Sequence, residues 1–193
     1  MTASQPLLVC LVGAECTGKT TLAQALAQHF DGLWVPEHLR RFTEQHGRTP
    51  MQHEQQHVLQ EQLRLETQTA DRARQQSRRW VFCDTAPLLT AAYSECVFAD
   101  TSLYPQAQAL HARYALTLLL EPDLPWQPDG LQRDGRKMRA KVQQALERAL
   151  AQQAWPCVRI AGASVERLQA AVGAVLQVTP APVQSLPRMG GSG

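Results

Sequence analysis

Residues Gly13-Ala14-Glu15-Cys16-Thr17-Gly18-Lys19-Thr20 satisfy the spacing GxxxxGK[ST] at every fixed position. The six residues before them, Leu7-Leu8-Val9-Cys10-Leu11-Val12, form an unbroken apolar run. Such a run is too short for a helix and reads as a strand buried on both faces, as in a parallel sheet. After the loop, an Ala/Leu-rich segment from Lys19 to about Phe30 reads as a helix. Between a strand and a helix, this spacing wraps the backbone around phosphate. The two glycines let successive N–H groups point inward, and the helix start adds its positive dipole end. The sequence therefore predicts that Gly13, Ala14, Glu15, Cys16, Thr17, Gly18, Lys19, Thr20 and Thr21 cradle ATP. Lys19 would reach the β- and γ-phosphates, and the Thr20 hydroxyl would ligate Mg²⁺. A chance match in a glycine-bearing turn would lack these flanks.

The rest of the chain alternates in the same way. Short apolar runs at Leu33–Val35, Trp80–Cys83, Ala115–Leu120 and Cys157–Ile160 read as four further strands. A long polar helix is expected from about Met51 to Arg78, its apolar side carrying Val58, Leu59, Leu63 and Leu65. Further helical segments reach about Arg113, and others cover Met138–Leu150 and Val165–Leu176. This order predicts an α/β fold: a five-stranded parallel sheet flanked by helices, the fold of P-loop NTPases. With 193 residues and 44% apolar content, one domain over residues 1–178 is expected. Residues 179–193, rich in Pro, Gly and Ser, are expected to be a disordered tail.

In an open parallel sheet, ligands bind beyond the carboxyl ends of the strands. Two acids stand at such ends. Asp84 closes the third strand, where a carboxylate can hold Mg²⁺ or take a proton from an acceptor hydroxyl; an Asp there equally suits a helix N-cap. Glu37 follows the second strand at an expected helix start, with the same two readings. Arg40 and Arg41 come a turn later, as a source of positive charge for the transferring group or as solvated surface. The Pro- and Gly-rich stretch from Glu121 to Arg136 has no hydrophobic period, and residues 121–137 suit a lid. Arg133 and Arg136 are its candidate catalytic cations, with Arg139 expected on solvated helix surface. Trp126 suits either stacking on a heteroaromatic ring or packing the loop onto the body.

Other features exclude classes. The net charge is +2 with acids and bases interspersed, so no nucleic-acid surface is expected. The first residues lack a signal peptide's positive region, and the apolar run is too short for a bilayer. Five cysteines, an odd number without CxxC spacing, argue against a disulfide framework. Cys10, Cys83 and Cys157 are expected in buried strands. A cytoplasmic protein without membrane contact follows. His53-Glu54-Gln55-Gln56-His57 reads HExxH, but its Gln-rich surroundings suit an exposed polar helix better than a zinc site.

The motifs together resemble the ribosylnicotinamide kinase domain of the bifunctional bacterial NAD-salvage and regulatory protein. The likeness rests on the loop Gly13–Thr21, Trp34-Val35-Pro36-Glu37, Gln62 and Glu66, Cys83-Asp84-Thr85, Tyr93-Ser94-Glu95, and Pro122-Asp123-Leu124-Pro125-Trp126 with Asp129-Gly130 and Arg133. It runs from about Leu7 to Leu176. It implies a fold like that of nucleoside kinases and transfer of the ATP γ-phosphoryl group to the 5′-hydroxyl of nicotinamide riboside. Glu37, Arg40, Arg41, Gln62, Trp126 and Asp129 are the expected acceptor contacts. The sequence departs from the pattern at Ala86, where a second acid is common, and at His38-Leu39, which precede the arginines. A kinase of another nucleoside or small alcohol, and a nucleotide-sensing switch acting through a protein partner, stand as alternatives.

Overall fold

The computed structural model describes residues 5–125 and 135–178. Five strands, β1 (Leu7–Val12), β2 (Leu33–Val35), β3 (Trp80–Asp84), β4 (Leu116–Leu120) and β5 (Cys157–Ile160), pair in the order β2-β3-β1-β4-β5. Every pairing is parallel. Parallel neighbours need crossover connections, and helices supply them: α1 (Lys19–His29), α2 (His38–His46), α3 (Gln55–Gln75), α4 (Pro87–Phe98), α5 (Tyr104–His111) and α6 (Gly135–Ala151), with α7 (Ser164–Leu176) last. This is the expected α/β P-loop NTPase fold.

The continuous apolar run of β1 has its reason in two cores. Cys10 and Val12 face a cluster with Val81, Cys83, Leu59, Leu88 and Leu146, from β3 and the α3–α6 side. Val9 and Leu11 face Phe82, Leu118, Leu22, Leu26, Ala171 and Val175, on the α1 and α7 side. A strand at the centre of such a sheet has no polar face to offer.

Two expectations need correction. Cys157 does not lie in a buried strand. Its strand β5 is an edge, and Cys157, Val158 and Arg159 are exposed while only Ile160 is buried. The long polar helix also starts later than expected, at Gln55, after a single 3-10 turn at Gln52–Glu54. Nor is its polar side all solvated. Val58 and Leu59 are buried, Leu63 and Leu65 only partly, and Gln55, Gln62, Glu66 and Thr69 are buried with them. Gln55, Gln62 and Glu66 find hydrogen-bond partners inside the molecule, which makes their burial tolerable.

The register sets up the site. Leu11 pairs with Asp84 and Val12 with Leu119, so β3 and β4 end beside the loop that leaves β1.

Candidate active site

The phosphate loop is built by positive-φ residues. Gly13 has φ 154°, and a Cβ there would stand 2.8 Å from the Leu120 carbonyl oxygen. Gly18 takes φ 80° at the N-cap of α1 and makes no side-chain capping bond. Gly18 thus offers the first N–H groups of α1 no side-chain cap, and a helix start of this kind is an anion-binding arrangement. Lys19 is 9% exposed and donates from Nζ to the carbonyls of Gly13 and Ala14, both at 3.1 Å. The ammonium thus spans the mouth of the loop, where phosphate oxygens would exchange for carbonyls. Thr17 Oγ1 donates to the Ala14 carbonyl at 2.9 Å and stiffens the turn. Cys16 is partly exposed in the loop with φ 55°.

Two arginines brace the loop from behind. Arg167 of α7 is 4% exposed and donates to the carbonyls of Thr17 (2.8 Å), Gly162 (2.8 Å) and Glu121 (3.4 Å), and to the Asp123 carboxylate. Arg139 of α6 is 8% exposed and donates to the carbonyls of Leu124 (3.1 Å) and Cys16 (3.4 Å). The expectation that Arg139 is solvated surface is therefore wrong. The planar guanidinium forks across several carbonyls that no helix or strand satisfies. Gln143 adds an acceptor, 3.2 Å from the Ala14 N–H. No motif marks Gln143 or Arg167. The only sequence signal would have been a charged or amide residue among the apolar positions of an amphipathic helix.

Beside the loop, Thr20 Oγ1 donates to Asp84 Oδ2 at 2.6 Å. Asp84 is 1% exposed, and its Oδ1 is buried with no hydrogen-bond partner. Burial raises its pKa, against the pull of Lys19, the Thr20 hydroxyl and Arg40. A hydroxyl and a half-satisfied buried carboxylate at a phosphate loop form a donor set suited to a hard divalent cation that keeps water and phosphate ligands. Asp84 is not an N-cap: α4 starts at Pro87, and Ala86 holds the N-cap position. Thr85 has φ 91°, a costly conformation for a β-branched residue. The Thr85 N–H donates to the Leu11 carbonyl at 3.1 Å, which holds the turn under the site.

Glu37 does stand at the N-cap of α2, as its position suggested, but its side chain makes no capping bond. It lines a cleft with Leu39, Gln55, Val58, Gln62, Thr85, Leu89, Thr90 and Tyr93. The cleft continues past Leu39, Gln55 and Tyr93 to an apolar mouth at Pro50, Val97 and Phe98. The tertiary structure thus gathers Lys19, Thr20, Asp84, Glu37 and Gln62 around one end of the sheet. Arg40 is exposed but close enough to lower the Asp84 pKa, whereas Arg41 is exposed and acts on His38. Trp126, Asp129 and Arg133 lie outside the described residues, as do most of the expected lid and the 179–193 tail. Arg136 falls in α6, its side chain outside the described set.

The HExxH segment has a structural explanation. Glu54 is held by Arg48 at 2.6 and 2.8 Å and accepts the Met51 N–H at 2.8 Å, closing the 3-10 turn. Its carboxylate is lowered to about 2 by that guanidinium first and the backbone bond second. His53 sits in the turn and His57 in α3, both exposed.

Comparison with known proteins agrees with this fold. The chain resembles a NadR protein solved in complex with NR, with 21% identity and a TM-score of 0.76 over 94% of this chain and 52% of that one. A NadR complex with NAD and AMP-PNP aligns similarly, at 21% identity and a TM-score of 0.74. The chain thus spans about half the length of these structures. Thymidylate kinase from Ehrlichia chaffeensis aligns over 90% of this chain and all of its own, with 16% identity and a TM-score of 0.65. These likenesses establish the fold of P-loop nucleoside and nucleotide kinases. No curated protein matches the sequence. A family profile described as an AAA domain matches residues 8–167, from β1 through the phosphate loop to the bracing Arg167, and the chain belongs to that family.

Proposed function

We propose that the protein is an ATP-dependent kinase that phosphorylates the 5′-hydroxyl of a nucleoside, with nicotinamide riboside the leading acceptor. The observation that carries this reading is the joining of two sites. The Thr20–Asp84 pair, 2.6 Å apart, is followed directly by Thr85, which lines one cleft with Glu37 and Gln62, and a more apolar hollow shares Leu39, Gln55 and Tyr93 with that cleft. A flat base suits the hollow, and a ribose hydroxyl at the Thr85 end would face the γ-phosphate. The NadR protein's complex with NR supports the choice of acceptor.

Lys19 and the α1 N-terminus would bind and orient the phosphates, and the Gly13–Thr21 loop would exclude water from them. Thr20 and Asp84 would hold Mg²⁺, which supplies charge neutralisation at the β- and γ-phosphate oxygens. Glu37 would take the proton as the acceptor oxygen bonds to the γ-phosphorus and the bond to the ADP oxygen breaks. Arg40 and Arg41 would add positive charge, with Arg133 and Arg136 contributed by a lid over residues 121–137. Gln62, Trp126 and Asp129 would contact the nucleoside. A single domain over 1–178, working in the cytoplasm, fits this reading.

The test is ADP release with MgATP and a nucleoside panel that includes nicotinamide riboside. ADP should appear only with an acceptor, together with a matching 5′-monophosphate. Release that no acceptor alters would overturn the kinase reading in favour of an ATPase switch.

A further inference from the structure

Glu66 is fully buried at 0% exposure on α3, four residues from Gln62. The Tyr114 hydroxyl lies 2.9 Å from each of its carboxylate oxygens. Arg113 Nη1 stands 3.6 Å from Oε2, and Gln62 Nε2 donates to Oε1 at 3.4 Å. On its other side, Gln62 Oε1 accepts the His38 backbone N–H at 2.9 Å. His38 is the first residue of α2, directly after Glu37. A chain of hydrogen bonds therefore runs from the segment before β4, across α3, to the backbone beside the Glu37 carboxylate.

We propose that Glu66 is a positioning residue of the acceptor site: it fixes the Gln62 amide with its oxygen toward His38, and so sets the start of α2 and the aim of Glu37. The proposal rests on the kinase reading for the word acceptor, but the relay itself does not.

The argument is one of donors and acceptors. An ionised carboxylate only accepts, so it presents lone pairs to Tyr114, Arg113 and the Gln62 NH₂ group. That leaves the Gln62 oxygen for the His38 N–H, one of the helix-start donors that lack an intrahelical partner. A protonated Glu66 brings a donor of its own, and of its neighbours only the Tyr114 hydroxyl and the Gln62 oxygen can accept it. Given to the Gln62 oxygen, the proton leaves the Tyr114 donor bond in place but turns the amide and sets its NH₂ against the His38 N–H. Burial raises Glu66 to about 7, opposed by Arg113, Tyr114 and Gln62. Glu66 in turn acts on two other titratable groups, Cys10 of β1 and Cys83 of β3. Burial drives both thiols upward, so they stay neutral and do not compete for its proton.

The experiment compares the wild-type chain with Glu66→Gln, an isostere that carries the donor at every pH. The kinetic probe is nicotinamide riboside at saturating MgATP, and the second readout is the His38 backbone amide resonance across pH 5.5–8.5. In the wild type, kcat/KM for the acceptor should fall on the acid side with a midpoint near the Glu66 value, and the His38 resonance should titrate with it. In Glu66→Gln, kcat/KM at pH 8 should drop about 10-fold, the worth of one well-placed hydrogen bond, with KM for ATP unchanged. Its acid limb and the His38 titration should both vanish. Identical pH profiles in the two proteins, or a His38 resonance indifferent to Glu66, would overturn the proposal. If no nucleoside is turned over, the kinase reading has failed, and the His38 titration decides the relay by itself.

Discussion

Glu66→Gln should make the protein more stable at pH 8 than the wild type, and by an amount that disappears in acid. The folded chain holds the Glu66 proton up to about pH 7, against an ordinary value of 4.5, because burial penalises the carboxylate. Below pH 4.5 the group is protonated whether the chain is folded or not, and its contribution is constant. Between 4.5 and 7 the unfolded chain gives up the proton and the folded chain keeps it, so stability falls as pH rises. Above 7 both states are ionised and the loss is complete. The gap is worth about 3 kcal/mol at 1.36 kcal/mol per pH unit, an upper bound because glutamine must re-form the Tyr114 and Gln62 contacts. Urea unfolding of both proteins at pH 5, 6, 7 and 8 measures it. The stability difference should open across that window in favour of the variant, with the urea slope unchanged. A difference that stays constant with pH, or a variant less stable at pH 8, would refute the reasoning. A variant that is more stable and less active would be the trade expected of a residue kept for geometry and not for packing.

Four further outcomes follow. Lys19→Ala should abolish turnover yet unfold at nearly the wild-type temperature, since among the described residues Lys19 bonds the loop carbonyls of Gly13 and Ala14 alone; full activity in this variant would sink the phosphate-loop assignment. Glu37→Gln should lower kcat about 10²–10⁴-fold at an unchanged Mg²⁺ requirement, whereas Asp84→Asn should raise that requirement, and a Mg²⁺ titration showing the reverse would exchange the two roles. Arg167→Leu should cost about 2–3 kcal/mol, because several buried carbonyls lose their donor, and should raise KM for ATP more than KM for the acceptor. Mass mapping after a thiol reagent should find Cys16 and Cys157 labelled first and Cys10 and Cys83 last, with MgATP protecting Cys16 and leaving Cys157 unprotected.

How far the sequence speaks depends on the range of the physics. The strand–loop–helix unit around Gly13–Thr20 is local. Its glycines, its apolar run and its helix formers sit side by side in the chain, and the fold class followed from the repetition of such units. Asp84 and Glu37 were also legible, because in a parallel sheet the carboxyl ends of all strands meet at one edge, so a strand-ending acid can be placed without coordinates. What sequence could not decide is which polar residues go inside. Gln62, Glu66, Arg139 and Arg167 occupy helices with ample solvent-facing surface, and an isolated helix would leave each in water. Only the packed structure supplies the Tyr114 hydroxyl, the His38 N–H and the loop carbonyls that make their burial affordable. Cys157 errs in the opposite direction for the same reason. Its strand is as apolar as some central ones, but the pairing order puts it at the edge, and strand order is a property of the whole sheet. The sequence by itself thus determined the phosphate loop, the parallel α/β frame and the acids at its edge. The tertiary structure alone decided the buried polar relay behind them, since a hydrogen bond between residues tens of positions apart exists only once the chain has brought them together.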